Sequence, residues 1–122
     1  MSAVDIRKLG KSFRYATRGF WYVFKNEQNI RLQILISIGV IFLMIYFQVS
    51  LWQAIILILV IVSVLVLELI NTIFEKMVDI LRPRIHYYAE VIKDVMAAAV
   101  LVTSIAAVIV GILIFAPYFF SR

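Results

Sequence analysis

The sequence predicts an all-α integral membrane protein, with an N-terminal amphipathic surface helix followed by three transmembrane helices. Three observations predict it. Of 122 residues, 65% are hydrophobic and only 16% charged, whereas a soluble domain carries about a quarter charged residues. Charge is absent from Leu32 to Leu67 and again from Val95 to Ser121. Ahead of these blanks, Arg7, Lys8, Lys11, Arg14, Arg18, Lys25 and Arg31 face only two acids, Asp5 and Glu27. The length allows one small domain, residues 1–122. Without cysteine there is no disulfide framework and no thiolate metal site. The net charge of +5 points to an anionic partner. Its placement puts the cations beside a membrane, so no nucleic-acid partner is expected.

The surface helix is expected over about 5–27. At 100° per residue, Ile6, Leu9, Phe13, Ala16, Phe20 and Phe24 fall within an arc of about 80°, with the cations on the other side. Such a helix lies in the interface with its apolar face in the acyl boundary. A plain membrane anchor that fixes topology would show the same pattern.

The first uncharged stretch is too long for one span of about 20 residues. Its break is expected at "FQVSLWQ", where Ser50 and Gln53 can form a capping box. The spans are then about 32–48, 51–70 and 95–116. Pro117 is expected to stop the third, with Tyr118, Phe119 and Phe120 as an interfacial belt. The positive-inside rule makes the N-terminus and residues 71–94 cytoplasmic and the C-terminus external. No cleavable signal peptide is expected, since no small-residue cleavage site precedes the first span. Ala99, Thr103, Ala107 and Gly111 recur every four residues, a small-residue face suited to close helix packing within the chain or between copies. Three short spans enclose little interior, which favours an oligomer.

The chemistry-bearing residues gather where the second span ends, in "VLELINTIFEKMVDIL". Glu68, Asn71, Glu75 and Asp79 sit at i, i+3, i+7 and i+11, within about 80° on a helix. The stripe starts inside the membrane and climbs toward the cytoplasm. Burying a carboxylate at the depth of Glu68 costs about 2.5–3.5 kcal/mol on the milder insertion scales. A carboxylate so placed is suited to accept a proton. Glu75 and Asp79, nearer water, could hold a divalent cation, since Mg²⁺ is usually bound by one or two carboxylates plus phosphate oxygens. The stripe could instead pair with Lys93 or the basic N-terminal segment and hold helices together. A small cation transporter is a third reading, because intramembrane acids mark ion pathways. Against it, Glu68 lies near one end of its span, and the third span offers no polar group deeper than Thr103 and Ser104.

After Asp79, "ILRPRIHYYAEVIKD" contains Pro83, expected to break or bend the helix, within a short cytoplasmic loop bearing Arg82, Arg84 and His86. A basic loop beside Mg²⁺-binding acids is a seat for a nucleotide polyphosphate. His86 could contact phosphate or be an idle surface residue. No P-loop or Gly-rich phosphate loop is present.

At this point "ELINTIFEKMVD" resembles the E-x-x-N-[ST]-x-x-E-x-x-x-D signature of the small prokaryotic diacylglycerol kinases, a family that includes undecaprenol kinase. "NEQNIR" (26–31) resembles the family's element before the first span, and "IKDVMAAAVL" (92–101) its A-K-D-x-x-[AS]-[AG]-A-V-L element. The resemblance covers nearly the whole chain. It implies an ATP- and Mg²⁺-dependent homotrimer in a bacterial cytoplasmic membrane, with active sites between neighbouring subunits at the cytoplasmic interface. The substrate would be a membrane lipid alcohol, diacylglycerol favoured and undecaprenol the alternative. By the same resemblance Glu68 is the general base, and Glu27 and Glu75 hold Mg²⁺ bridging ATP phosphates. Asn71, Lys93 and Asp94 are polar active-site residues, while Lys8, Tyr15, Asp79 and His86 lie near the nucleotide. The chain departs from the pattern at Ile73, Phe74 and Met96, which add bulk beside the site, and in its unusually basic loop. Outside the family, the remaining reading is a non-catalytic membrane interaction protein.

Overall fold

The computed structural model describes residues 3–121. They form three helices in chain order, α1 (Ile6–Asn26), α2 (Gln28–Phe47) and α3 (Leu51–Phe120). Among the described residues there is no strand.

Local chemistry sets each boundary. Asp5 opens α1, its Oδ1 accepting from the backbone N–H of Arg7 at 3.0 Å and of Lys8 at 3.3 Å, the usual service of an N-cap carboxylate. One extended residue, Glu27 (φ −116°, ψ 116°), both ends α1 and caps α2. Arg31, one turn into α2, folds back so that its Nη1 donates to the carbonyls of Phe24 and Lys25, each at 2.9 Å. Those are carbonyls the last turn of a helix leaves without partners. The junction bearing Glu27 is thereby tied from both sides. At the other end of α2, Gln48 adopts the left-handed conformation (φ 50°), and the N–H of Val49 reaches Met44 O at 3.2 Å. The expected capping box follows. Ser50 N–H donates to Gln53 Oε1 at 3.1 Å, and Gln53 N–H donates to Ser50 Oγ at 3.3 Å.

A straight helix of 70 residues would be about 105 Å long at 1.5 Å per residue. Yet the Tyr118 hydroxyl donates to Gln53 Oε1 at 2.5 Å. The helix therefore doubles back on itself. It does so at Ile85 (φ −116°, ψ 27°), the one residue with non-helical backbone inside α3. Two limbs result, residues 51–84 and 86–120, lying antiparallel. Pro83, two residues earlier, lacks the N–H for Asp79 O and so removes one backbone bond from the turn that leads into Ile85. The expected cytoplasmic loop is thus corrected to a single-residue reversal, with Arg82, Arg84 and His86 in the flanking helical turns. The expected stop at Pro117 is also corrected. The helix runs on to Phe120, and Ser121 N–H donates to Pro117 O at 2.9 Å. So near a helix end Pro117 forfeits one backbone bond, and Tyr118 holds the turn beyond it against Gln53.

The buried core joins the two limbs to α2. Leu57, Ile114 and Phe115 are buried together against Val40, Leu43 and Phe47. Phe47 closes that end, with Phe119 edge-on at 4.9 Å and Tyr118 at 5.5 Å between ring centroids. Outward, the molecule is greasy: Phe42, Ile45, Leu59, Val102 and Leu113 are all more than half exposed. Helices α2 and α3 are long and apolar enough to cross a membrane, and an apolar surface this extensive marks a membrane-facing protein.

Candidate active site

The buried face of the first α3 limb runs through Leu57, Val64, Glu68, Thr72 and Val78. Glu68 is only 4% exposed, so a carboxylate interrupts an otherwise apolar seam. No hydrogen bond or ion pair reaches that carboxylate from the described residues. Its charged neighbours are Glu27, from the α1–α2 junction, and Glu75, two turns further along its own helix. Glu68 thus lies within electrostatic reach of two other acids, an arrangement that like-charge repulsion disfavours.

Around this centre the stripe is partly tied. Asn71 Nδ2 donates to Glu75 Oε1 at 3.4 Å, both half-buried. Thr72 is buried, and its hydroxyl donates to the Glu68 main-chain carbonyl at 3.1 Å, which satisfies the hydroxyl without touching the carboxylate. Farther toward the reversal, Lys93 Nζ meets Asp79 Oδ1 at 2.9 Å across the two limbs. This hydrogen bond with Lys93 holds the Asp79 carboxyl below its ordinary value of 3.8. Arg82 and Glu90 pair at 3.6 Å closer still to Ile85.

Asn71 and Glu75 are therefore joined, Glu27 and Glu75 are the charged neighbours of Glu68, and Asp79 and Lys93 form a second pair farther toward the reversal. The alternative in which the stripe pairs with Lys93 and holds helices together holds for its last member, Asp79, and not for Glu68, which no cation among the described residues reaches. Asp94 and His86 are exposed and make no side-chain bond among the described residues. Lys8 and Tyr15 are exposed on α1. Tyr15 lies under the Arg18 guanidinium at 5.8 Å, and no side-chain contact joins either residue to α3. Ile73 and Phe74 are 55% and 39% exposed, so their bulk faces outward rather than into this cluster.

Two contributors escaped the sequence reading. Thr72 stood inside the quoted stretch as one more small polar residue, and its place on the buried face, four residues from Glu68, was the available signal. Arg31 was quoted as the last residue of "NEQNIR" and as a cation before the first span, with no role given to it. Its spacing of four from Glu27 was the hint that it turns back over that junction.

Among the described residues, no group of three or more His, Asp or Glu side chains gathers closely enough to hold a metal ion. Glu27 and Glu75 offer two carboxylates, the protein share typical of a Mg²⁺ site completed by phosphate oxygens.

Comparison with known proteins gives the family. Residues 14–115 match the model of the prokaryotic diacylglycerol kinase family. The chain belongs to that family. The matched range spans the stretch from Glu27 to Asp94 in which most of the candidate site residues lie. Among curated relatives, an undecaprenol kinase of Bacillus subtilis is 32% identical over 113 residues, 93% of this chain and 92% of its own length. A diacylglycerol kinase of Synechocystis is 38% identical over 101 residues, 82% of this chain and 58% of its own. No solved structure is significantly similar to the chain. For a member of the prokaryotic diacylglycerol kinase family, an acid buried beside two others is a site in need of a purpose rather than a packing defect.

Proposed function

We propose that the protein is an ATP- and Mg²⁺-dependent lipid kinase that transfers the γ-phosphoryl group to a membrane lipid alcohol, with diacylglycerol the favoured acceptor. The observation that carries this reading is Glu68, buried without a partner and with the acids Glu27 and Glu75 as its charged neighbours, in a chain of this family. The family relation supports the lipid acceptor, and the acids support the chemistry.

Phosphoryl transfer asks a protein mainly for positioning and charge stabilisation. The lipid hydroxyl gives its proton to the Glu68 carboxylate as its oxygen bonds to the γ-phosphorus. The bond from that phosphorus to the bridging oxygen breaks, and ADP leaves with the electron pair. Glu27 and Glu75 would hold Mg²⁺, which would neutralise phosphate charge. Asn71 fixes the Glu75 carboxylate. Lys93, held at the mouth of the cluster by Asp79, offers its ammonium to phosphate oxygens, and Asp94 stands beside it. His86, Lys8 and Tyr15 are assigned to the nucleotide. Since Lys8 and Tyr15 stay on exposed α1, a homotrimer whose sites lie between subunits supplies the way for them to reach it.

In this reading α1 is the cytoplasmic surface helix. The first transmembrane span lies within α2, and the two limbs of α3 carry the second and third. The reversal at Ile85 is then cytoplasmic and the C-terminus external, in a bacterial inner membrane. The second reading is an undecaprenol kinase, favoured by the Bacillus relative that aligns over 93% of this chain. Transfer of radiolabelled phosphate from ATP in mixed micelles, with diacylglycerol or undecaprenol and with or without Mg²⁺, tests both. The account expects a labelled lipid only when Mg²⁺ is present. Absence of any labelled lipid from folded protein contradicts it.

A further inference from the structure

A groove of about 740 Å³ runs along α2 and both limbs of α3, within the range of ~300–1,000 Å³ typical of ligand sites. Its walls are apolar over most of their length, including Val64, Gly111 and Phe115. Polar side chains enter at one end only, where Gln33, Ser37 and Ser104 line it. That end lies next to the proposed site. Val64 precedes Glu68 by one turn on the same buried face. The limb register set by Gln53–Tyr118 and Asp79–Lys93 places Ser104 opposite Glu68.

The three polar groups are not equivalent. Ser37 is satisfied, its hydroxyl donating to Gln33 O at 2.7 Å. The Gln33 amide and the Ser104 hydroxyl have no hydrogen-bond partner among the described residues. In a bilayer such groups are costly to leave unpaired. A purely apolar occupant, including an apolar helix face of a second copy, would leave them so. The groove's polarity instead matches an amphiphile, with donors at the depth of Glu68 and apolar walls beyond. From Ser104 to Phe120 the wall extends about 24 Å at 1.5 Å per residue, more than the ~15 Å depth of one leaflet's hydrocarbon.

We infer that this groove holds one hydrocarbon chain of the acceptor lipid, and that Gln33 and Ser104 select an ester-bearing acceptor by donating hydrogen bonds to its ester carbonyl oxygens. The inference rests on the lipid kinase reading and adds the acceptor's chemistry to it. A diacylglycerol brings a hydroxyl for Glu68 and ester carbonyls that only accept. A polyprenol brings the hydroxyl alone and would leave both donors idle.

The test compares the full-length protein with the double variant Gln33→Leu, Ser104→Ala in mixed micelles, using dioleoylglycerol, a dialkyl ether glycerol and undecaprenol as acceptors. A lost hydrogen bond of ordinary strength corresponds to about two- to tenfold in affinity. The double variant should raise KM for dioleoylglycerol about tenfold with kcat within about twofold. KM for the ether lipid and undecaprenol should move by less than about twofold. Ser104→Thr, which keeps the hydroxyl, should retain the wild-type KM. An unchanged KM for dioleoylglycerol, or an equal rise for all three lipids, overturns the inference. Gly111→Leu adds a side chain where a Cβ meets open space. It should raise KM for dioleoylglycerol and leave the oligomer's mass unaltered. A changed mass with KM unaffected would mean that a second copy fills the groove, and would overturn the inference. Binding of pyrene-labelled diacylglycerol, read by energy transfer from Trp21 and Trp52, separates this inference from the kinase reading. If the wild type labels no lipid, the kinase reading alone fails. The groove assignment then stands if the double variant weakens pyrene-lipid binding about tenfold, and falls if binding is unchanged.

Discussion

Glu27 and Glu75 approach Glu68 from different elements, and their proposed duty differs from its own. If they hold Mg²⁺ while Glu68 takes the proton, Glu75→Gln should raise the Mg²⁺ concentration for half-maximal activity by about tenfold, one of two carboxylate ligands being gone. A magnesium titration of activity checks this. An unchanged requirement would remove Glu75 from the metal site. The Asp79–Lys93 pair makes a pH prediction. Its hydrogen bond and charge depress the Asp79 carboxyl below its ordinary value of 3.8. The pair's contribution to stability is therefore complete above that value and fades as pH falls through the depressed one. Thermal unfolding of wild type and Asp79→Asn in detergent should differ at neutral pH and converge in strong acid. A difference that persists there would show that Asp79 acts other than through its charge. The polar stripe was legible from its i, i+3, i+7, i+11 spacing, because a helix leaves little freedom in which residues share a face. Which acid Lys93 would choose was not legible. That depends on the register of two limbs packed side by side, and periodicity along one limb carries no information about its offset from the other.

At the level of elements, caps were readable and the reversal was not. Ser50 and Gln53 announce a helix start by residue type and spacing, and both hydrogen bonds of the box form. Pro83 announces a break without saying how much chain the break consumes. The answer is one residue, Ile85, because helical turns flanking it are clasped by Arg82–Glu90 and Asp79–Lys93. Pro117 misled for a related reason: near a helix end a missing N–H forfeits one bond, too little to unwind a turn anchored by Tyr118. Arg31 carries a prediction at this scale. Its two bonds to α1 carbonyls hold Glu27 in place from an exposed position. Arg31→Leu should lower stability by about 1 kcal/mol and raise the Mg²⁺ requirement, since Glu27 loses its support. Unfolding and magnesium titration of the same variant check both. A stability loss with the requirement unaltered would confine Arg31 to holding α1.

Across the whole molecule, the membrane character was plain in two uncharged stretches, and the exposed apolar surface of α2 and α3 agrees with it. The proposed topology puts Ile85 and Gln48 on opposite sides of the membrane. Single cysteines at His86 and Gln48 should react with impermeant maleimide from the inside and the outside respectively. Labelling of both from one side would contradict three spans. The oligomer was inferred from thinness and resemblance, since one sequence holds no record of its copies.

The central claim is that a buried, unpartnered acid takes a proton from a lipid hydroxyl as ATP phosphorylates it. The most direct measurement is transfer of radiolabelled phosphate from ATP to diacylglycerol and undecaprenol by wild type and Glu68→Gln, each verified as folded. Loss of general-base catalysis typically costs ~10²–10⁴-fold in rate. The account predicts a drop of that size on whichever lipid the wild type labels, with KM for ATP unchanged. Glu68→Gln labelling lipid at the wild-type rate would contradict it.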